Sequence, residues 1–294
     1  MRRFLLAAML FGTVAGAHAA DMPDYLRGSF PGEPAPTRNW DGWYAGGQAA
    51  YSSSATDFSQ AVVGLTNFIF RDSVLQQPTA NWSLLNKTNG QASGFGAFVG
   101  RNYQWEDLVF GIEANYNYLV DLATSTSGSN SLRIVNPPGD TPPPGITDAY
   151  DVTLTGKAAA QIKDVITFRG RAGWATGDFL PYIFGGLAVG RMDISRSVTS
   201  DVTLTQYQTI TTPGGGTTTT TFGPPNQPVP AQSQTQSQER TNNFVAGWTG
   251  GIGLEYMLGS NVFVRGEWEY IKFISMENTV VTLNSVHAGI GYKF

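Results

Sequence analysis

The chain ends on the stretch Val286-His287-Ala288-Gly289-Ile290-Gly291-Tyr292-Lys293-Phe294, in which apolar residues alternate with small or polar ones. Successive side chains of a β-strand point to opposite faces, so the even-numbered residues form one apolar face and the odd-numbered residues a more polar face. A terminal strand this apolar would be a liability at the edge of a water-soluble sheet. The liability disappears when the strand closes a barrel and its apolar face meets lipid. The stretch therefore favours a closed, membrane-embedded β-barrel.

Seven further segments show a similar alternation, and each reaches the roughly 9 to 11 residues that a tilted strand needs to cross a bilayer. They are residues 42–52, 91–104, 108–119, 161–176, 179–193, 244–258 and 262–274, and the last strand begins near Thr279. Long and short connections alternate along the chain, which fits long extracellular loops and short periplasmic turns. The sequence predicts an all-β fold, an eight-stranded antiparallel transmembrane β-barrel.

Three long connections separate these strands. In the first, residues 53–90, apolar residues recur at helical spacing between Ala61 and Ile69, which predicts a short amphipathic helix over the barrel mouth. A membrane-dipping or adhesive segment is the alternative. The second, residues 120–160, is polar and rich in proline. The third, residues 194–243, carries runs of Thr, Gly and Gln whose composition does not predict a core, so we expect it to be mobile.

Residues 1–19 have the features of a secretory signal peptide. Arg2 and Arg3 precede an apolar stretch, and Ala17-His18-Ala19 predicts cleavage after Ala19. The apolar run is shorter than the roughly 20 residues of a membrane-spanning helix. Residues 20–40 contain four prolines and predict an extended periplasmic lead-in. Residues 41–294 then form the outer-membrane barrel.

Composition narrows the function classes. Charged residues make up 14% of the chain, against roughly 25% in an average soluble domain, while it holds 35 glycines and 12% aromatic residues. Removing the signal peptide takes away two arginines, which leaves 16 basic and 22 acidic residues. This negative balance argues against nucleic acid as a partner. Since the chain has no cysteine, it uses neither disulfides nor thiolate metal sites. We expect no cofactor and no metal site.

Seven charged residues lie opposite the apolar faces of their strands and are predicted to line the lumen. They are Glu113, Arg169, Arg171, Glu255, Arg265, Glu267 and Glu269. Charges in a hydrocarbon-walled interior persist only when paired or hydrated. An eight-stranded barrel is just wide enough to be filled by side chains. We therefore expect structural Arg–carboxylate pairs; a proton or ion path and catalytic carboxylates are the alternatives.

His287 is the only histidine left after signal cleavage, and it lies on the same inner face as Ser285. A Ser–His hydrolase needs the two side chains in direct contact. Residues two apart on one strand point in parallel about 7 Å apart, so we favour a lumenal hydrogen-bonding role for His287 and expect no enzyme. Arg101 and Lys272 are predicted on the lipid-facing side near opposite rims, where each reaches headgroups, and Lys272 reaches lipopolysaccharide phosphates.

Seven motifs in order carry a resemblance to a known family. They are Trp40-Asp41-Gly42-Trp43-Tyr44-Ala45-Gly46-Gly47, Gly100-Arg101-Asn102-Tyr103-Gln104, Gly111-Ile112-Glu113-Ala114, Arg169-Gly170-Arg171-Ala172-Gly173, Leu180-Pro181-Tyr182, Gly247-Trp248-Thr249 and Leu254-Glu255-Tyr256. The chain resembles the small outer-membrane immunogenic proteins of rhizobia and their relatives, which are single-domain barrels akin to the membrane domain of OmpA. The resemblance covers the eight strands and not the long loops. Arg101 stands where the family usually has an aromatic residue, and the third loop is longer than usual.

The resemblance implies a surface-exposed envelope protein without established catalysis. The terminal strand, with Tyr292 and Phe294, also resembles the C-terminal signal that the barrel-assembly machinery reads. We therefore expect a structural or surface-interaction role, in envelope integrity or as an antigen or adhesion surface. Expected partners are outer-membrane lipids, lipopolysaccharide, the assembly machinery, and host or phage surfaces that contact the loops. The alternative is a narrow, porin-like channel for small solutes or ions. A barrel-embedded lipid enzyme dependent on His287 is a third hypothesis.

Overall fold

Eight long strands form one antiparallel sheet that closes on itself. In this computed structural model, which describes residues 38–294, the strands are β1 (Gly42–Asp57), β2 (Lys87–Trp105), β3 (Leu108–Val135), β4 (Ile146–Trp174), β5 (Phe179–Thr211), β6 (Thr217–Thr221), β7 (Gln227–Pro228), β8 (Thr235–Met257), β9 (Val262–Phe273) and β10 (Val280–Lys293). The short β6 and β7 pair only with β5, and the other eight close the ring through β1 and β10. The predicted fold class is confirmed. The expected signal peptide and most of the lead-in lie outside the described residues.

An apolar belt surrounds the barrel. Outward side chains on the eight strands are large and apolar, and many are about half exposed, such as Trp43 at 52%, Ile112 at 64% and Leu187 at 67%. Exposure of this much apolar surface suits hydrocarbon and not water. The inward side chains between them are buried, which is the sidedness that the alternating sequence predicts. Among residues 38–294 no helix is long and apolar enough to cross a membrane.

Four strands continue beyond the belt into segments that the sequence analysis predicted as loops. β3 reaches Val135 and β4 begins at Ile146, so only a ten-residue turn remains of the second predicted loop. β5 reaches Thr211 and β8 begins at Thr235, with β6 and β7 between them. The expectation that residues 194–243 form no core was wrong, because Ile194, Val198 and Val202 are buried in a hydrophobic cluster.

Bulges at the outer end of the belt explain why these extensions were missed. The register shifts at Asp121 in β3, at Lys163 in β4 and at Asn242 in β8. A one-residue shift turns every later side chain to the other face. On the periplasmic side of Lys163, the even-numbered residues of β4 from Trp174 to Ile166 lie on the lipid-facing side. On the extracellular side, the even-numbered residues from Ile162 to Val152 face inward. The apolar residues therefore leave the lipid face and form a core where the strands enter water.

The extended strands and residues 58–86 form what we call the extracellular lobe. Residues 58–86 contain two short helices, α1 (Val63–Ile69) and α2 (Gln76–Thr79). Phe58, Phe70 and Leu75 are fully buried there against strand residues that include Leu154 and Val198. The predicted helix is confirmed, and it packs on the inner side of the sheet beyond the belt.

Inward glycines make room for the aromatic side chains of the lumen. A Cβ at Gly253 would lie 2.3 Å from Cζ of Tyr182, and one at Gly291 would lie 2.2 Å from Cζ of Phe263. Both rings are buried. Each therefore lies across a strand position that only glycine can occupy without displacing it. Outward Gly266, in contrast, has open space around its Cα.

We expect Gly253→Ala to destabilise the barrel by about 1–3 kcal/mol, because the added methyl overlaps the buried Tyr182 ring. The measurement is the urea midpoint of the folded, fast-migrating form on unboiled gels. Gly266→Ala, an outward control, should leave that midpoint near the wild-type value. Equal midpoints for the two variants would show that the inward glycines are not required for space.

Candidate functional site

The lumen is stacked in three layers along the barrel axis. The periplasmic layer is an apolar and aromatic cluster of Trp40, Tyr44, Phe98, Val109, Ala175, Leu180, Tyr182, Phe184, Met257 and Phe263. The layer toward the extracellular lobe is aliphatic and includes Leu119, Leu122, Ile162, Val165, Met192, Ile271, Phe273 and Leu283. Between them lies a polar layer of charged and amide side chains. Polar groups in the middle layer are thus enclosed by apolar side chains above and below.

The middle layer contains the eight lumenal residues named from the sequence. They are Glu113 on β3, Arg169 and Arg171 on β4, Glu255 on β8, Arg265, Glu267 and Glu269 on β9, and His287 on β10. All are at most 5% exposed. The structure brings them together in one cluster, which we call the lumenal ion cluster. Their strands lie on opposite sides of the barrel, so their contacts cross the lumen.

Glu113 is the centre of the lumenal ion cluster. Its carboxylate accepts hydrogen bonds from Arg169 at 2.6 Å, from Arg171 at 3.2 Å and from Arg265 at 3.0 Å. The hydroxyl of Tyr44 donates to the same carboxylate at 2.7 Å. One acid therefore neutralises parts of three guanidinium groups from two strands. Such charge-assisted bonds are the strong ones in a dry interior.

The remaining carboxylates complete the pairing. Glu267 accepts from Arg169 at 2.6 Å and from the Tyr182 hydroxyl at 2.5 Å. Glu255 accepts from Arg171 at 2.8 Å. Buried charges cost free energy unless paired and hydrogen-bonded in this way.

Aromatic rings cover the flat faces of the guanidinium groups. The guanidinium carbon lies 4.0 Å from the ring centre of Phe184 for Arg169, 3.9 Å from that of Tyr182 for Arg171, and 3.4 Å from that of Phe98 for Arg265. Cation–π contacts of this kind gain strength when desolvated. The aromatic layer on the periplasmic side therefore both closes the lumen and stabilises the cations above it.

Both ring nitrogens of His287 face polar side chains of the middle layer. Its Nε2 lies 3.1 Å from Oε2 of Glu269, and its Nδ1 lies 3.4 Å from Nε2 of Gln48. Gln48 Oε1 accepts from Arg265 and its Nε2 also donates to Asn117, so the amide nitrogen is fixed as the group that faces Nδ1. Because that nitrogen only donates, Gln48 presents a hydrogen-bond donor to the Nδ1 side of the ring.

The Ser–His arrangement that the sequence analysis considered is not formed. The Ser285 hydroxyl lies 2.8 Å from the hydroxyl of Ser52, and both serines are buried. His287 instead contacts Glu269 and Gln48. The pair on β10 is therefore part of the hydrogen-bonded filling of the lumen.

Sequence reasoning did not single out the neutral members of the polar layer. Asn115 donates to Glu113 at 2.6 Å and accepts from Arg265 at 2.9 Å. Thr249 donates to Glu269 at 2.7 Å. These residues share the inward parity of the charged residues on their strands, and that signal would have found them.

The predicted assembly signal lies on the outside of the barrel. Tyr292 and Phe294 are 48% and 73% exposed and stack edge to face with ring centres 5.3 Å apart. The Phe294 backbone N–H donates to the Trp43 carbonyl at 2.8 Å, which fastens the end of the chain to β1. Arg101 also lies on the outer face, on β2, between the rings of Trp43 and Tyr103.

Comparison with known proteins agrees with this architecture. The family model described as outer membrane protein beta-barrel domain matches residues 4–294. The 31 kDa outer-membrane immunogenic protein of Brucella melitensis biotype 1 is 22% identical over 309 residues, which cover 100% of both chains. The 25 kDa outer-membrane immunogenic protein of Brucella ovis is 21% identical over 199 residues, which cover 68% of this chain and 62% of that protein. These matches confirm the resemblance to outer-membrane immunogenic proteins.

Solved structures that align with this chain include those of small outer-membrane proteins. Ail of Yersinia pestis, in complex with the heparin analogue sucrose octasulfate, aligns with a TM-score of 0.33 and 11% identity over 86% of this chain and 99% of that chain. Neisserial surface protein A aligns with a TM-score of 0.29 and 13% identity over 86% of this chain and 97% of that chain.

Substituting the centre of the lumenal ion cluster should destabilise the fold. We expect Glu113→Gln to cost about 3–5 kcal/mol, because it leaves three buried arginines with one acceptor fewer. The measurement is the urea midpoint of the folded barrel in lipid vesicles. Asp151→Asn is the control, since Asp151 pairs with Arg133 at 3.0 Å on the exposed surface, and it should leave the midpoint close to wild type. Equal midpoints for both variants would contradict the central role of Glu113.

Proposed function

Because the chain belongs to the outer membrane protein β-barrel domain family and resides in the outer membrane, we propose that it has a structural and surface-interaction role there. The observation that carries this proposal is the filled lumen beneath an ordered extracellular lobe. The barrel anchors the chain in the membrane, and the extracellular lobe presents a surface for interaction outside the cell. Envelope integrity and recognition at the cell surface are the two activities that this division serves.

The three lumenal layers argue against solute passage. A solute would have to cross the aromatic layer at Phe263, the lumenal ion cluster around Glu113, and the aliphatic layer at Ile271. The middle layer offers little mobile charge, because each carboxylate of the cluster already accepts charge-assisted bonds. Opening a path would break several buried ion pairs together, each costly to separate. This filling supports a structural barrel over the narrow channel that is the alternative function.

The same filling supports a role without catalysis. The candidate nucleophile Ser285 is buried and hydrogen-bonded to Ser52, and His287 is held by Glu269. A substrate could reach neither group without dismantling the layers around it. The acidic residues of the lumen face arginines and not a cleft. These carboxylates neutralise buried arginines and are not presented to a substrate.

The extracellular lobe is the surface that we assign to interaction. Its interior is apolar, and its outer face is rich in threonine, serine and glutamine, with β6 consisting of five exposed threonines. Neutral hydroxyl and amide groups offer hydrogen bonds without fixing a charge preference. We propose that host or phage surface molecules contact this face. We likewise propose that the barrel-assembly machinery reads Tyr292 and Phe294 on the lipid-facing side of β10.

Conductance separates the structural proposal from the channel alternative. We expect the purified full chain in planar lipid bilayers to show no reproducible openings, because apolar layers close both ends of the charged region. A porin from the same membrane, inserted in parallel, is the positive control. Reproducible wild-type openings whose ion selectivity changes in Arg265→Gln would establish the channel and overturn the proposal.

Surface proteolysis of whole cells tests the lobe. We expect cuts at the turns around residues 136–145 and 212–216, because these are outside the strands. The paired segments between residues 194 and 211 should resist, since their backbone groups are held in the sheet. Mapping the fragments by mass spectrometry gives the cut sites. Cuts spread evenly over residues 194–243 would contradict an ordered lobe, and no cuts in intact cells would contradict surface exposure.

A further inference from the structure

A groove on the lipid-facing side of the barrel lies beside an arginine that has no acidic partner among residues 38–294. The groove, about 400 Å³ in volume, is walled by Trp43, Val99, Ile112 and Phe168, and its floor is formed by small residues that include Gly170. Arg101 lies next to it on β2, where its backbone pairs with both Trp43 and Ile112. A cation and an apolar trench therefore share one side of the barrel.

Aromatic rings hold Arg101 in place, but no carboxylate among residues 38–294 neutralises it. Its guanidinium carbon lies 5.6 Å from the ring centre of Trp43 and 4.9 Å from that of Tyr103. Its Nε is buried without a hydrogen-bond partner, and Arg101 forms no salt bridge within residues 38–294. A guanidinium group presents donors in a fork that matches a phosphate. At the edge of a hydrocarbon belt, an anionic headgroup is the available counterion.

The register of the barrel places this groove near the periplasmic rim. The backbone row that starts at Arg101 continues through Ile112, Gly170, Gly185 and Gly250. Arg101 and Gly170 each lie four positions from the periplasmic end of their strands, Gly185 lies six and Gly250 lies seven. Arg101, Ile112 and Gly170, which flank or line the groove, therefore all lie near the periplasmic end of their strands, and the row moves away from that end only beyond Gly170.

We propose that this side of the barrel binds one anionic glycerophospholipid of the inner leaflet. Its phosphate pairs with Arg101 between the Trp43 and Tyr103 rings, and an acyl chain lies in the groove and over Gly170. The position of Arg101 near the periplasmic rim selects an inner-leaflet lipid, because a lipopolysaccharide in the outer leaflet would place its phosphates at the opposite rim. The site lies on the outer face of the barrel, away from the extracellular lobe.

Two matched pairs of variants test the two halves of the site. Arg101→Gln removes the cation, and its control is Lys272→Gln, which removes an exposed outward cation near the other rim. Gly170→Leu fills the groove, and an added Cβ there has its nearest neighbour at 4.0 Å, the Gly185 carbonyl oxygen. Its control is Gly266→Leu, at an outward glycine with open space that lies outside the groove.

The measurement is native mass spectrometry of the full-length barrel in detergent, titrated with dioleoylphosphatidylglycerol or with dioleoylphosphatidylcholine. We expect one phosphatidylglycerol to bind about fivefold more tightly than phosphatidylcholine, the effect of roughly one cation near a membrane surface. Arg101→Gln should abolish that preference, and Gly170→Leu should weaken binding of both lipids. Both control variants should behave as wild type.

Three results would overturn the site. They are a wild type without preference for phosphatidylglycerol, an Arg101→Gln variant that keeps it, and equal losses in Arg101→Gln and Lys272→Gln. If the groove retained lipopolysaccharide more tightly than phosphatidylglycerol, its ligand would be lipopolysaccharide and not the proposed inner-leaflet phospholipid. Heat-dependent gel migration confirms that each variant is folded. If Arg101→Gln fails to fold, Gly170→Leu still tests whether lipid binds in the groove.

Discussion

The hydrogen-bonded seam between β1 and β10 is the constraint on which the structure depends. It runs from Tyr44 opposite Lys293 to Asp57 opposite Val280. Without it, two strand edges would expose unpaired backbone groups to hydrocarbon, where each costs several kcal/mol. Closing the seam fixes the number of strands and therefore the width of the lumen. The contents of the lumen and the apolar character of the outer face both follow from that width.

A lumen this narrow has to be filled, and the choice of filling decides which way each strand faces. If both faces of a strand were apolar, either could turn to lipid, and a one-residue slip would cost little. Charged residues remove that ambiguity. A one-residue slip of β9 would carry Arg265, Glu267 and Glu269 into hydrocarbon. It would also leave their partners on β3 and β4 buried without a counterion. The lumenal ion cluster thus fixes the register of the barrel in addition to occupying its interior.

Most of the transmembrane part could be predicted from alternation alone. The inward parity of Glu113, Arg169 and Glu267 follows from their apolar neighbours, because a period of two leaves only one face for them. Which arginine contacts which acid could not be predicted. Those contacts depend on the stagger between strands far apart in sequence, such as β3 and β9. The neutral members of the layer, such as Asn115, share the inward parity of the charged residues, but their partners depend on the charges across the lumen.

The extensions of β3, β4 and β8 could not be predicted from alternation because the register shifts at one residue in each strand, at Asp121, Lys163 and Asn242. Along β4 the even positions stay mostly apolar or small from Trp174 to Val152, yet they face lipid at one end and a water-shielded core at the other. The bulge at Lys163 makes this possible, and its ammonium lies 2.7 Å from the Asp193 carboxylate of β5 and donates to Asn242 of β8. Lys163 and Asn242, two of the residues at which the register shifts, therefore also bond to each other where the belt ends. A sequence pattern records the period of a strand but not a change of solvent along it. At the bulges of β3, β4 and β8 the surroundings of the strands change from lipid to water.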